Sequence, residues 1–336
     1  MRKIGIVGIG HVGATVAHLI VSQGLADTLI LVDKNPDKLA SEVLDFRDAA
    51  SLLPQHVTVT AGTTADLADA DVVISALGHI GLIQPGGDRF TELRANTSEV
   101  QQVGTDLKHA GFQGVLIVIS NPVDVMTGLY QQVTGLPTQQ VFGTGTYLDT
   151  ARLKRALGDA PGIDPRSVSG YMLGEHGASQ FAAWSTVRAL GQTATELAAT
   201  YQLDLAQIAA DARDGGFTVF AGKKYTNFAI AHAAVALAQL VLSDAHQEAI
   251  VSHYDQQFDS YISTPAIIGR GGIVGDFSLT LTAAEQASLK QSATAIAEKQ
   301  RPIYKKSAFL RFFYDQTNNP AAAAETSETK IPASNI

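Results

Sequence analysis

Lys3-Ile4-Gly5-Ile6-Val7-Gly8-Ile9-Gly10-His11-Val12-Gly13 decides how the chain is read. A short apolar run rich in β-branched residues enters a Gly-x-Gly-x-x-Gly turn. Apolar Val12, Val16, Leu19 and Ile20 then recur at helical spacing. A second apolar run, residues 29–32, ends in Asp33, 20 residues after Gly13. A strand, a glycine turn, a helix and a carboxylate closing the next strand form the dinucleotide-binding pattern. Gly8 permits the tight turn, Gly10 lets the backbone approach a pyrophosphate, and Gly13 lets helix and sheet lie close. The helix start offers free N–H groups and a partial positive charge to the phosphates. Asp33 is expected to accept hydrogen bonds from the adenosine ribose hydroxyls. A 2′-phosphate there would meet like charge, so the expected cofactor is NAD rather than NADP. Lys34 beside it is the one neighbour that argues the other way.

The alternation continues outward from this unit. Residues 36–50 read as a helix, 57–60 and 71–78 as strands, 91–110 as a helix, and 115–120 and 140–145 as strands. The run 71–78 is nearly continuous in apolar residues, as a strand covered on both faces should be. Strands alternating with helices predict an α/β fold, a Rossmann doubly wound parallel sheet with right-handed crossovers. Ligands in such sheets bind beyond the strand C-termini, where Gly8, Asp33, Gly78, Asn121 and Gly145 fall. The second half reads as an α+β substrate domain. It has short extended runs in 163–190 and 264–281, consistent with antiparallel strands, and helices over 148–157, 193–212, 225–242 and 281–298. Thr282 and Glu285 fit a capping box for the last of these. Residues 317–336 lack apolar periodicity and read as a disordered tail. The expected organisation is a NAD-binding domain over 1–146, a substrate domain over 147–316 and the tail, with the active site between the two domains.

Composition narrows the function classes. Of 336 residues 46% are hydrophobic, enough for a substantial core, and the net charge of −8 is spread along the chain. No basic run follows a phosphate backbone, so nucleic acid is not an expected partner. The longest apolar helical stretch, near 229–241, is too short and too punctuated to span a bilayer, so no membrane is expected either. Absence of cysteine removes disulfide and thiolate chemistry and is compatible with the cytoplasm.

Three further features carry chemistry. Gly174-Glu175-His176-Gly177 places a histidine among small residues just past an apolar run, 168–173. Asp149 and Arg152, at i and i+3 on a helix, can point into one cleft. Residues 79–88 hold three glycines and a proline, read as a mobile loop with Arg89 at its far end.

With these features the chain resembles the lactate/malate dehydrogenase superfamily over about residues 1–312. Within it the resemblance is strongest to L-2-hydroxyisocaproate dehydrogenases, which act on larger 2-oxo acids. The matching motifs are Gly8-Ile9-Gly10-His11-Val12-Gly13, Asp88-Arg89-Phe90, Ser120-Asn121-Pro122-Val123-Asp124, Leu148-Asp149-Thr150-Ala151-Arg152, Gly174-Glu175-His176-Gly177 and Lys224-Tyr225-Thr226, in family order. The resemblance implies a homotetramer acting on a small 2-oxo or 2-hydroxy acid. It implies His176 as proton donor, Asp149 as its orienting carboxylate and Arg152 as the grip on the substrate carboxylate. It further implies Arg89 as the group polarising the carbonyl, Asn121 and Thr226 beside the substrate, and Asn121, Gly78 and Ile230 beside the cofactor.

Departures from the family bear on the substrate. Malate enzymes carry an arginine in the mobile loop for a second carboxylate, and residues 79–88 have no Arg or Lys. A buried second carboxylate would lack a partner and cost several kcal/mol. The loop is longer than the common lactate-enzyme pattern and carries Ile80, Leu82 and Ile83. Each extra CH₂ buried stabilises by about 0.8 kcal/mol, so branched or bulky apolar 2-oxo acids are expected over pyruvate. Two alternatives stay open. One is an L-lactate dehydrogenase not activated by fructose bisphosphate, since the effector positions hold Lys154 and Ser169. The other is a NAD-sensing module without turnover.

Overall fold

The computed structural model describes residues 1–78 and 89–318, with the backbone alone at 89–92, 302 and 304–318. The loop 79–88, the side chain of Arg89 and residues 319–336 of the expected tail lie outside the described residues.

The opening stretch folds as its sequence dictates. Strand β1 (Lys3–Val7) leads through the glycine turn into helix α1 (His11–Gln23), and β2 (Thr28–Val32) follows. Gly24, at φ 62° in the left-handed region, ends α1. Helix α2 (Pro36–Ala49) starts at a proline behind Asn35, whose side chain caps it by accepting from Lys38 N. Then come β3 (Thr58–Ala61), β4 (Val72–Ser75), α3 (Arg89–Ala110), β5 (Val115–Val118), α4 (Val123–Thr134) and β6 (Val141–Gly143). These six strands pair in parallel in the order β3-β2-β1-β4-β5-β6. The order reverses between β1 and β4, which opens a crevice at their C-terminal ends. Ile4, Ile6, Leu29, Leu31, Ile74 and Ile117 are fully buried, as strands covered on both faces require.

The second half is α5 (Tyr147–Asp159), β7 (Met172–Leu173), β8 (Phe181–Ala182), β9 (Arg188–Ala189), β10 (Gln192–Thr193), α6 (Ala194–Tyr201), α7 (Leu205–Lys223), α8 (Phe228–Leu242), β11 (Gln247–Asp255), β12 (Ser260–Gly269), β13 (Gly272–Asp276) and α9 (Ala283–Asn318). Its antiparallel strands do two different things. The pairs β7–β8 and β9–β10 stand alone, while β11, β12 and β13 extend the main sheet, β11 pairing with β6 through Ser252 and Gly143. Helix α8 buries Ala231, Ala234 and Val235 in the same core cluster as Ile4 and Ile6, with α1 alongside it. One compact unit, Met1–Ile296, contains the sheet; a second, Ala297–Ile336, contains the later part of α9.

Several sequence expectations are corrected. The single helix expected over 193–212 is two, because Gln202 takes the left-handed conformation and Asp204 caps a new helix by accepting from Ala206 N and Gln207 N. Apolar spacing runs through the break without a change of period, so it is invisible to a periodicity argument. The run 168–173 contributes only the two-residue strand β7. The helix expected to end at 298 continues through Pro302 to Asn318, so residues 317 and 318 of the expected tail are helical. The capping box at its start is present: Thr282 N donates to Glu285 Oε2 at 2.8 Å, and Glu285 N donates to Thr282 Oγ1.

Candidate active site

The site grows from how α5 is fastened. Thr146, just before it, donates from Oγ1 to Met172 O at 2.6 Å, and Met172 N donates to Thr150 Oγ1 at 3.0 Å. These two bonds clamp the first turn of α5 to β7. Asp149 lies between the two threonines, and His176 lies four residues beyond Met172. The turn after β7 is set by Gly174, at φ +94°, which exchanges two backbone hydrogen bonds with Ser263 of β12. A Cβ there would stand 2.3 Å from Ser292 Oγ, so no other residue fits without displacing α9. His176 is thereby brought to Asp149: Nδ1 to Oδ2 is 2.6 Å. The other oxygen of Asp149 accepts from Arg152 Nη1 at 2.7 Å. Arg152 faces the Gly215–Gly216 pair of α7.

The electrostatics follow from burial and neighbours. Asp149 is fully buried, which works against its charge, but His176 and Arg152 outweigh that and hold its carboxyl below the usual range. Burial likewise works against a charged His176. Asp149 outweighs it, Asp124 adds to that and Arg152 opposes, so the imidazole titrates above its ordinary value. With Nδ1 turned to a carboxylate, the imidazole carries its proton on that nitrogen when neutral and presents Nε2 to the cleft.

The dinucleotide cradle is built at the crevice. A Cβ on Gly13 would stand 1.9 Å from Gly8 O, so the helix can approach the strand this closely only with glycine there. Space beside Gly10 is open, and no side chain caps the N-terminus of α1. Free N–H groups beside open space suit a pyrophosphate. Asp33 closes β2 and is fixed by two backbone donors, Ile9 N to Oδ2 at 2.7 Å and Asn35 N to Oδ1 at 2.9 Å. Lys34 pairs with Glu99 of α3, and Lys38 Nζ bonds Ile9 O. The cradle therefore fits a dinucleotide, with the Asp33 carboxylate held in place at the end of β2 and Lys34 engaged with Glu99.

The remaining expected residues are distributed as follows. Asn121 is exposed just past β5, and its carbonyl accepts from Asn96 Nδ2 at 2.8 Å. Gly78 is exposed just past β4. Ile230, on α8, rests partly buried against the sheet core. Thr226 sits in the turn between α7 and α8. Its neighbours on both sides tie that turn to α1: the Tyr225 ring stacks on His11 with centroids 3.8 Å apart, and Asn227 Nδ2 donates to Thr15 Oγ1 at 2.9 Å. Arg89 heads α3. The structure thus brings His176, Asp149 and Arg152 into direct contact. Among the described residues no cluster of His, Asp and Glu could hold a metal ion, and no helix is long and apolar enough to cross a membrane.

Sequence reasoning passed over Asp124. It is buried, and its Oδ2 accepts from His176 N at 2.9 Å. The motif Ser120–Asp124 contained it, but nothing in that motif says that it reaches a turn far along the chain. Tyr225 and His11 were missed for the same reason.

Comparison with known proteins agrees with this architecture. Residues 2–143 match the lactate/malate dehydrogenase NAD-binding domain, and residues 146–306 match the α/β C-terminal domain of the same enzymes. L-lactate dehydrogenase 1 of Bifidobacterium longum subsp. longum is 37% identical over 309 residues, covering 88% of this chain and 96% of that protein. L-lactate dehydrogenase 2 of Enterococcus faecalis is 33% identical over 305 residues, with the same coverage. The crystal structure of the minor L-lactate dehydrogenase from Enterococcus mundtii superposes with a TM-score of 0.85 at 32% identity, covering 90% of this chain and 98% of that one. The chain belongs to the lactate/malate dehydrogenase family. It is a NAD-dependent oxidoreductase acting on 2-hydroxy acids.

Proposed function

We propose that the chain reversibly reduces 2-oxo acids with branched or bulky apolar side chains to the L-2-hydroxy acids. The observation that carries the chemistry is the 2.6 Å contact between His176 Nδ1 and Asp149. It orients the ring, leaves Nε2 to meet the substrate oxygen, and favours the protonated form that a proton donor needs. Arg152 grips the substrate carboxylate with two parallel hydrogen bonds, which fixes the carbonyl in the cleft. Because Arg152 rests on Asp149 at 2.7 Å, the incoming carboxylate competes with Asp149 for the guanidinium. Arg89 polarises the carbonyl and stabilises the developing alkoxide. Asn121 and Thr226 border the substrate, and Gly8, Gly10, Gly13, Asp33, Gly78, Asn121 and Ile230 hold the dinucleotide. When bound, NADH would contribute the hydride that the carbonyl carbon needs, and His176 supplies the proton to its oxygen. We further read the enzyme as a cytoplasmic homotetramer, on the family resemblance.

The preference for larger substrates rests on the sequence of residues 79–88, which carries Ile80, Leu82 and Ile83 and no Arg or Lys. A second reading, an L-lactate dehydrogenase, is favoured by the names of the relatives. Steady-state kinetics on purified enzyme separates them. 2-Oxo-4-methylpentanoate is expected to show kcat/KM at least tenfold above pyruvate, since burying its three extra carbons contributes up to about 2.4 kcal/mol. A pyruvate preference overturns the reading. In the same assay NADH is expected to outperform NADPH, because a carboxylate closing β2, held by Ile9 N and Asn35 N, would repel a 2′-phosphate. Equal rates with both cofactors would remove that role from Asp33.

A further inference from the structure

Asp124 touches neither the imidazole of His176 nor Arg152 by a hydrogen bond among the described residues, yet its placement is specific. It lies in the first turn of α4, just past β5, and is 2% exposed. Its Oδ2 accepts the backbone N–H of His176 at 2.9 Å. The hydroxyl of Ser252, on β11, steadies its charge, although neither Ser252 Oγ nor Asp124 Oδ1 closes a hydrogen bond of standard geometry among the described residues. A buried carboxylate with one oxygen left over is a costly arrangement. A neutral amide or hydroxyl would serve the backbone N–H equally well and avoid burying a charge. The position of the charge needs its own explanation.

His176 provides one. The charged groups that act on its imidazole are Asp149 and Arg152 from α5 and, through its bond to the His176 backbone, Asp124 from α4. Asp149 divides its two oxygens between His176 and Arg152, so part of its field is spent on the guanidinium. Asp124 holds the His176 backbone, and no cation is bonded to it among the described residues. We infer that Asp124 is a positioning residue of the reaction: it fixes the His176 backbone through one oxygen and so holds a second negative charge close to the proton donor.

The inference rests on His176 being the proton donor. It adds that Asp124 reinforces Asp149, whose oxygens are shared between His176 and Arg152. Burial raises the Asp124 carboxyl to about 6, with Ser252, the His176 N–H and the His176 charge opposing and Glu175 adding to the rise. Asp124 is thus mainly ionised at neutral pH and begins to lose its charge just below it.

Asp124→Asn separates charge from position, because the amide oxygen still accepts from His176 N. The readouts are kcat, the pH profile of kcat/KM for 2-oxo acid reduction, and NADH affinity by fluorescence titration of the full chain. The expected result is unchanged NADH affinity and a high-pH limb displaced downward by about one unit, as loss of a nearby opposite charge implies. Ser252→Ala, which removes only the hydroxyl, is expected to displace the limb the same way by less. It also serves if Asp124→Asn fails to fold. A profile superimposable on the parent in a folded variant overturns the inference. His176→Asn is the control: if it retains turnover, the proton-donor reading itself fails. If it abolishes turnover while Asp124→Asn leaves the profile unmoved, the inference on Asp124 alone fails.

Discussion

Replacing His176 with Asn lowers kcat/KM for 2-oxo acid reduction by about 10²–10⁴-fold, the usual contribution of a positioned general acid. NADH affinity stays within about twofold, because the cradle around Gly8–Gly13 and Asp33 shares no hydrogen bond with His176 among the described residues. Steady-state rates paired with NADH fluorescence titration check both halves. Joint loss of turnover and NADH binding would instead indicate a collapsed fold, and retained turnover would remove His176 from the mechanism. The pH dependence in the unaltered enzyme has a definite sign. The folded imidazole titrates above its ordinary value because Asp149 and Asp124 outweigh burial and Arg152. The donor form is therefore complete below the ordinary value of about 6.5, and it is lost only as pH rises through the raised one. Reduction is expected to stay level past pH 6.5 and then fall. Oxidation of the 2-hydroxy acid, which needs the neutral imidazole, rises over the same interval.

Arg152→Leu is the second large effect. Removing one partner of a partly buried, hydrogen-bonded charge pair costs about 2–5 kcal/mol, or roughly 30- to 5,000-fold in kcat/KM. The loss is expected mainly in KM, because the guanidinium binds the carboxylate in ground state and transition state alike. A second signature distinguishes this from unfolding. Arg152 opposes the charged form of His176, so its removal moves the high-pH limb of the profile upward, the reverse of Asp124→Asn. Saturation curves across pH test both. An unchanged KM would take Arg152 out of substrate binding.

The contrast between these residues shows what could be read along the chain. Gly8, Gly13 and Asp33 are legible because the strand–turn–helix–strand unit is local, and its close approach is written in the glycine spacing. Asp149 and Arg152 are legible because a helix repeats every 3.6 residues, so i and i+3 share a face. The link between Asp149 and His176 was inferred from family motifs, and only β7, held between Thr146 and Thr150, makes it a 2.6 Å contact. The break between α6 and α7 escaped because apolar spacing persists across Gln202. The strand β11 escaped because its place between β6 and β12 depends on a sheet assembled from both halves.

By itself the sequence determined the parallel half of the sheet and the dinucleotide cradle, since each rests on short-range periodicity or on residues close in the chain, while the candidate chemistry followed from the family resemblance of its motifs. Tertiary structure decided the rest. It carried β11–β13 onto the same sheet, set Tyr225 against His11, and placed Asp124 under the His176 backbone. These pairings join residues far apart in the chain, and burial and hydrogen bonding in the finished fold select them. No local propensity encodes such a choice, because a carboxylate at the start of α4 has the same local preferences whatever it later meets.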